Sequence, residues 1–334
     1  MAQIDHHYQH WDGAHENIWR RRWTIALEGL RTCMAQKWLK RIVGLCWVIC
    51  LAQTVLLFLY ASMLDPESRV SGWVQDLGGR PVLVAQEVMA KWASKNPEIA
   101  IGLPYNIMFS FFSSHQLFTY SFTMLALCLA VPRLITPDLS SRAIVIYSSK
   151  AVSRFDYLLG KFGAVMLLMT LTWLGPVLIS WLAGNLFSPR LAFLWHSRAA
   201  FLHSASYILI SMVVLSMLVL AISASSRKSK TVVTLWLGLW LLGAALSAMG
   251  TASHVHWLQY VSFGFNLDVL HRAIFDFSGS LATIEAKVPR LSEAFAFVFD
   301  YLKSSHGTLA GALFSLVLML GGAGFILHQR VKPE

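Results

Sequence analysis

IVGLCWVICLAQTVLLFLYASML, residues 42–64, runs for 23 residues without an Asp, Glu, Lys or Arg. A helix of roughly 20 apolar residues crosses a hydrocarbon core about 30 Å thick. Inside that core there is no water to pair backbone N–H and C=O groups, so a lone spanning segment has to be helical. Five more uncharged runs follow: Tyr105–Val131, Phe162–Phe187, Ser204–Ser226, Thr231–Ser253 and Gly307–Leu327, each of at least 21 residues. The pattern predicts an all-α integral membrane protein with six transmembrane helices. It divides the chain into a polar tail (1–17), a basic amphipathic segment (18–41) and a six-span domain (42–334).

Composition agrees. Charged residues are 13% of the 334 and hydrophobic residues 56%, where an ordinary soluble domain carries about 25% charged residues. The first apolar run begins only at residue 42, behind a basic segment, so it reads as an uncleaved signal anchor. The net charge of +10 is unevenly placed. With both termini in the cytoplasm, 17 of the 27 Lys and Arg residues fall in the shorter inner segments. That density asymmetry is the positive-inside pattern and sets the orientation. The basic residues flank spans, where anionic lipid headgroups suffice as partners, so no nucleic-acid partner is expected. Of the four cysteines, Cys33, Cys46, Cys50 and Cys128, none falls in an outer loop. They read as small packing residues, Cys46 and Cys50 sharing one helix face.

Residues 18–41, IWRRRWTIALEGLRTCMAQKWLKR, place Trp19, Trp23, Ala26, Leu30 and Met34 at helical spacing, with Arg20, Arg21, Glu28 and Arg31 on other faces. A basic helix with Trp on its apolar side lies in the membrane interface. The reading is a cytoplasmic interfacial helix, serving as an anchor or as a docking platform. Upstream, His6, His7, His10 and His15 can bind a transition metal, but a disordered polar tail is the plainer reading, and no metal site is assigned. His115 and Gln116 lie within the second apolar run, where a His hydrogen-bonded to a neighbouring helix is expected.

The loop 132–161, PRLITPDLSSRAIVIYSSKAVSRFDYLLGK, carries the most local signal. Ser140 can cap a short helix through Ala143–Tyr147. Ser153 with Asp156 three residues on resembles a capping box opening the third span. Gly175-Pro176 marks a kink in that span. Only residues 227–230 join the fourth and fifth spans, so these two run antiparallel. Between the fifth and sixth spans, 257–277 is aromatic and amphipathic, with Asp268, His271, Arg272 and Asp276. It predicts an outer re-entrant or amphipathic hairpin and not a seventh span. Gly307 and Gly311 are spaced for close helix contact.

Catalytic motifs are missing. Gly160-Lys161 superficially matches the end of a P-loop, but Phe162 stands in place of Ser/Thr and Phe155 in place of the first Gly. No hydrolytic signature occurs, and the spans lack repeated carboxylates for ion coupling. No catalytic residue and no metal ligand is assigned, and no enzymatic activity is expected of this chain.

The layout resembles that of ABC-2 type (type-2 ABC exporter) transporter permeases. The loop after the second span carries the resemblance, through Asp138, Ala143, Ile144, Lys150, Val152, Ser153, Arg154, Tyr157, Leu158, Leu159, Gly160 and Lys161. Arg142 departs from the family at a usual Gly, and Ala151 at a usual Pro. The Asp-Tyr before Leu-Leu-Gly-Lys is similar to the branch serving gliding motility and nitrous-oxide-reductase maturation. The resemblance implies the permease subunit of an ATP-driven exporter in a bacterial cytoplasmic membrane. Its substrate would be amphipathic or lipid-like. Two permease chains, identical or different, would pair along the first and fifth spans. Two separate ABC ATPase subunits would bind ATP and Mg, this chain holding no cofactor, and would dock under the 139–150 helix and the 18–41 helix. Arg31, Asp138, Arg142, Lys150, Arg154, Tyr157 and Lys161 would make the coupling contacts. The alternative is a non-transporting membrane anchor or assembly subunit for a cytoplasmic complex. A third reading, a lipid-modifying enzyme, rests only on His271 with Asp268.

Overall fold

The structure, a computed structural model, describes residues 17–65, 72, 91, 95, 98–114, 118–141, 153–186, 188, 192–278, 281–282 and 307–331. Among these residues there is no strand. Six helices are long and apolar enough to cross a bilayer, which makes this a multi-pass membrane protein.

Helix α1 (Ile18–Met34) is separate from the first span. The expected single segment 18–41 is divided at Gln36, whose extended backbone (ψ 125°) lets the chain turn before α2 (Lys37–Met63). Residues 37–41 therefore belong to the span. α2 is apolar over most of its surface, and Cys46, Cys50, Gln53, Leu57 and Ala61, recurring every three or four residues, are buried. Trp47, Val48, Leu51 and Val55 face outward.

The second apolar run is not one helix. A π-helical turn (Glu98–Gly102) leads into α3 (Leu103–Ser113), which stops at Ser114, in extended backbone with ψ 152°. The chain resumes as α4 (Phe118–Ala130), followed by a 3-10 turn (Val131–Arg133) and the short α5 (Thr136–Ser140). The bilayer-length stretch is Thr119–Ser140, displaced along the chain from the expected Tyr105–Val131. Local hydroxyl chemistry accounts for the break. Ser113 Oγ donates to the Phe109 carbonyl at 2.5 Å and Ser114 Oγ to the Phe111 carbonyl at 3.0 Å, bonds that compete with helix continuation. Ser204 Oγ, from a neighbouring span, donates to Ser113 Oγ at 3.1 Å, so the helix end at Ser113 and Ser114 is buried in protein. His115 and Gln116 lie outside the described residues.

The third span starts eight residues before the apolar run, as α6 (Arg154–Met169). It passes through a π turn (Thr170–Leu174) into α7 (Gly175–Leu186). Pro176 has no N–H to offer and its ring crowds the preceding turn. The helix widens to compensate, and Gly175 N–H donates five residues back, to Thr170. A Cβ at Gly175 would sit 2.6 Å from the Thr170 carbonyl oxygen, so only glycine fits. Cys50 Sγ donates to the Pro176 carbonyl at 3.1 Å.

Helix α8 (Ala192–Ser225) is the centre of the bundle and extends 34 residues, well beyond the expected Ser204–Ser226. The extra turns carry Arg198, whose guanidinium carbon lies 3.3 Å from the Trp195 ring centroid. Ser197, Ser204 and Ser211 recur every seven residues, as do Ser216 and Ser223, and all five are fully buried. Small side chains on one stripe let neighbours approach closely. α9 (Ser229–Ala252) returns antiparallel, and Trp236 Nε1 ties it to the Met124 carbonyl at 3.1 Å.

The short α10 (His256–Gln259) and α11 (Phe263–Phe275) fold back onto the bundle. At 13 residues α11 is about 20 Å long, short of a bilayer. Asn266 Nδ2 holds it against the last helix, α12 (Leu309–Arg330), by a 3.1 Å bond to Ser315 Oγ. Gly311 packs on the Tyr260 ring of this returning segment, while Gly321, Gly322 and Gly324 meet nothing within 4 Å.

The π turn and the exposed glycines give opposite expectations. Gly175→Ala should lower stability by about 1–3 kcal/mol through overpacking. Gly321→Ala should be neutral or stabilising by up to about 1 kcal/mol. Thermal melting of the detergent-solubilised variants checks both.

Candidate functional site

Three contacts define one end of the bundle. Arg22 of α1 meets Asp156 of α6, Arg154 of α6 meets the end of α12, and Thr136 at the start of α5 meets the end of α8. The α8–α9 turn, with Arg227, Lys228 and Lys230, belongs to the same end. This is the basic end of the molecule.

The third span opens with the capping box expected from the sequence. Asp156 N–H donates to Ser153 Oγ at 3.1 Å and Ser153 N–H to Asp156 Oδ2 at 3.3 Å. The sequence did not reveal the second task of Asp156: its other oxygen accepts from Arg22 Nε at 2.7 Å. Arg22 also lies over the Trp19 ring, 4.7 Å from its centroid.

Beneath that ion pair α1 and α6 are in near-backbone contact. A Cβ at Gly160 would fall 2.6 Å from Ile25 Cβ, and one at Gly29 would fall 2.7 Å from Ala164 Cβ. Gly163 faces Ala26 in the same way. Two helices therefore meet through glycine and alanine, with Ala26, Gly29 and Cys33 of α1 buried. Burial pushes the Cys33 thiol up to about 11, against the pull of Lys161 and Arg133. It stays neutral at pH 7 and behaves as a packing residue. Trp19 and Trp23 point away from this contact and are more than half exposed.

A second cluster lies one turn deeper. Lys161 is buried and donates to Asp138 Oδ2 at 2.8 Å and to the Leu134 carbonyl at 2.7 Å. Tyr157 Oη donates to the same Asp138 oxygen at 2.6 Å. Thr136 Oγ1 donates to the Ser223 carbonyl at 2.8 Å, and Ile135 N–H to Ser223 Oγ at 2.9 Å, fixing the turn that carries Asp138. Ser140 ends α5, with its hydroxyl on the Pro137 carbonyl at 2.9 Å. The helix expected through Ala143–Tyr147 lies outside the described residues.

The singled-out residues therefore separate. Asp138, Tyr157 and Lys161 come together, bonded to one another inside the bundle. Arg154 lies apart, donating through Nη2 to the His328 carbonyl. Arg31 is 76% exposed and 3.7 Å from Glu28 on its own helix. Arg142, Lys150 and the four N-terminal histidines lie outside the described residues. Arg22 went unnoticed because three consecutive arginines give no hint which one pairs.

A further polar set lies within the bundle, near the opposite end. Asp268 accepts from Arg272 Nε at 3.0 Å. His271 Nε2 lies 3.1 Å from the Ser110 carbonyl, and its ring is 4.8 Å from that of Tyr207. The rings of Tyr120, Trp173 and Tyr207 follow edge to face at 5.6 and 5.8 Å. This arrangement braces α11 against the broken second span. Among the described residues no group of three or more His, Cys, Asp or Glu side chains is placed to hold a metal ion. Against protein-family models and the curated proteins, the chain matches none.

Lys161→Met removes one partner of a buried pair and should cost about 3–5 kcal/mol. Adding Asp138→Asn should recover part of that loss, because no uncompensated carboxylate remains. Denaturant unfolding in detergent, run as a double-mutant cycle, reads the coupling; strictly additive losses would contradict it.

Proposed function

We propose that this chain is the membrane-spanning subunit of an ATP-driven exporter, moved by separate ATPase subunits. One observation carries the reading: α6, which follows loop 141–153 in the chain, is joined to α1 by glycine contact and a half-buried ion pair at the basic end. A coupling element has to transmit a push without absorbing it, and close-packed helices deform little. A push on the loop would tilt α6, and α1 would follow.

The density of basic residues supports a cytoplasmic position for that end. Exposed Trp19 and Trp23 of α1, with Trp38 at the start of α2, suit an interfacial position for α1. α2 and α9 bury few of their side chains within this chain, which leaves them available for a second copy or a related permease chain. With Asp138 paired to Lys161, Arg31, Arg142 and Lys150 are the residues proposed to meet the ATPase. Asp138, Tyr157 and Lys161 then brace the loop and do not touch the motor. The exported substrate would be amphipathic or lipid-like, as the resemblance implies.

Purification of the full chain from native membranes should bring an ABC ATPase with it, and the complex should hydrolyse ATP in vesicles. Breaking the clamp with Arg22→Gln should lower that hydrolysis by about tenfold while the complex still assembles. ATP hydrolysis by this chain alone, or the absence of any ATPase partner, would reject the reading in favour of an anchoring role.

A further inference from the structure

A groove of about 520 Å³ opens on the side of the bundle, between α6, α8 and α12. Its floor is α8, through Val213 and Met217. Phe162 forms one wall. The other wall has a gap at Gly324, where an added Cβ would meet nothing within 4 Å. At the basic end the groove is closed by Arg154 and His328. Its size falls in the range of ligand sites, roughly 300–1,000 Å³.

From this we infer a binding site for a single anionic phospholipid of the adjacent leaflet, its phosphate on Arg154 and one acyl chain in the groove. Length supports a tail and not a spanning solute. From Arg154 to Phe162 the wall climbs about 12 Å, within one leaflet of a core about 30 Å thick. Charge supports a phosphate. The guanidinium has five N–H donors, and its bond to the His328 carbonyl is made through Nη2. Arg330 stands two residues further along α12, and the positive end of the α6 dipole adds to the field. Asp156, two residues along α6, is turned to the other side of the helix and bonded to Arg22. Phe155, 65% exposed at the mouth, lies where a glycerol backbone would cross. A lipid held here would fill the wedge between α6 and α12 at the end where α6 meets α1, and this inference stands whether or not the chain is an exporter subunit.

Native mass spectrometry of the delipidated full chain, titrated with phosphatidylglycerol and with phosphatidylcholine of identical tails, tests it. Wild type should bind the anionic lipid about fivefold more tightly. Arg154→Gln should erase that preference. Gly324→Leu puts a side chain into open space, so the fold should survive while occupancy by both lipids falls about fivefold or more. Equal binding of both lipids by wild type, or unchanged occupancy in Gly324→Leu, overturns the site. A change of oligomeric state in Gly324→Leu with lipid binding intact would also overturn it, assigning the groove to a second copy.

Discussion

The contact between α1 and α6 organises this molecule. Helices ordinarily pack 8–10 Å apart across their side chains, but here Gly29, Gly160 and Gly163 remove the side chains at the crossing. With Cβ positions 2.7 and 2.6 Å from the opposite helix at Gly29 and Gly160, no larger residue fits there without moving one helix; at Gly163 the distance is 3.1 Å, and a small side chain needs only a slight local shift. The Arg22–Asp156 pair sits above that contact and fixes its rotation. A buried ion pair is poor evidence of net stability, so its value here is directional: it allows one register of α1 on α6. The capping box shares the same carboxylate, so the start of the third span, the ion pair and the helix crossing depend on one residue.

From that end the bilayer sets the remaining constraints. Backbone interruptions at membrane depth are tolerated only inside protein, and two helix interruptions among the described residues have protein partners. Ser113, where α3 ends, takes a bond from Ser204, and the Pro176 carbonyl after the π turn takes one from Cys50. The repeated serines of α8 make this possible, since a thin central helix brings several neighbours within hydrogen-bonding reach. α2, α9 and α12 have no such stripe and remain largely unburied.

How far the sequence disclosed this depends on the range of the interaction concerned. α2, α9 and α12 were legible because continuous apolarity is a property of the segment alone. The Ser153–Asp156 box was legible because it closes within three residues. The break at Ser113–Ser114 was hidden: apolar composition ran through it, and the hydroxyl of Ser204 that supports it is about ninety residues away. The ends of α6 and α8 extended past the apolar runs because Asp156, Lys161 and Arg198 find partners that charge counting ignores. Asp138 and Lys161 were picked out as contacts for another protein, yet their first partners are each other. Nothing in the local pattern separates a charge that faces outward from one that is neutralised across 23 residues.

Disulfide trapping across the α1–α6 crossing addresses the central claim most directly. Cysteines at Ala26 and Gly163, in a chain with its four native cysteines replaced, would lie where Ala26 Cβ and the Gly163 position are 3.1 Å apart. If the two helices move as one body, the crosslink should form fully with or without nucleotide on the co-purified complex, and ATP hydrolysis should be unchanged. A crosslink that forms in only one nucleotide state, or that stops hydrolysis, would mean the helices part during the cycle.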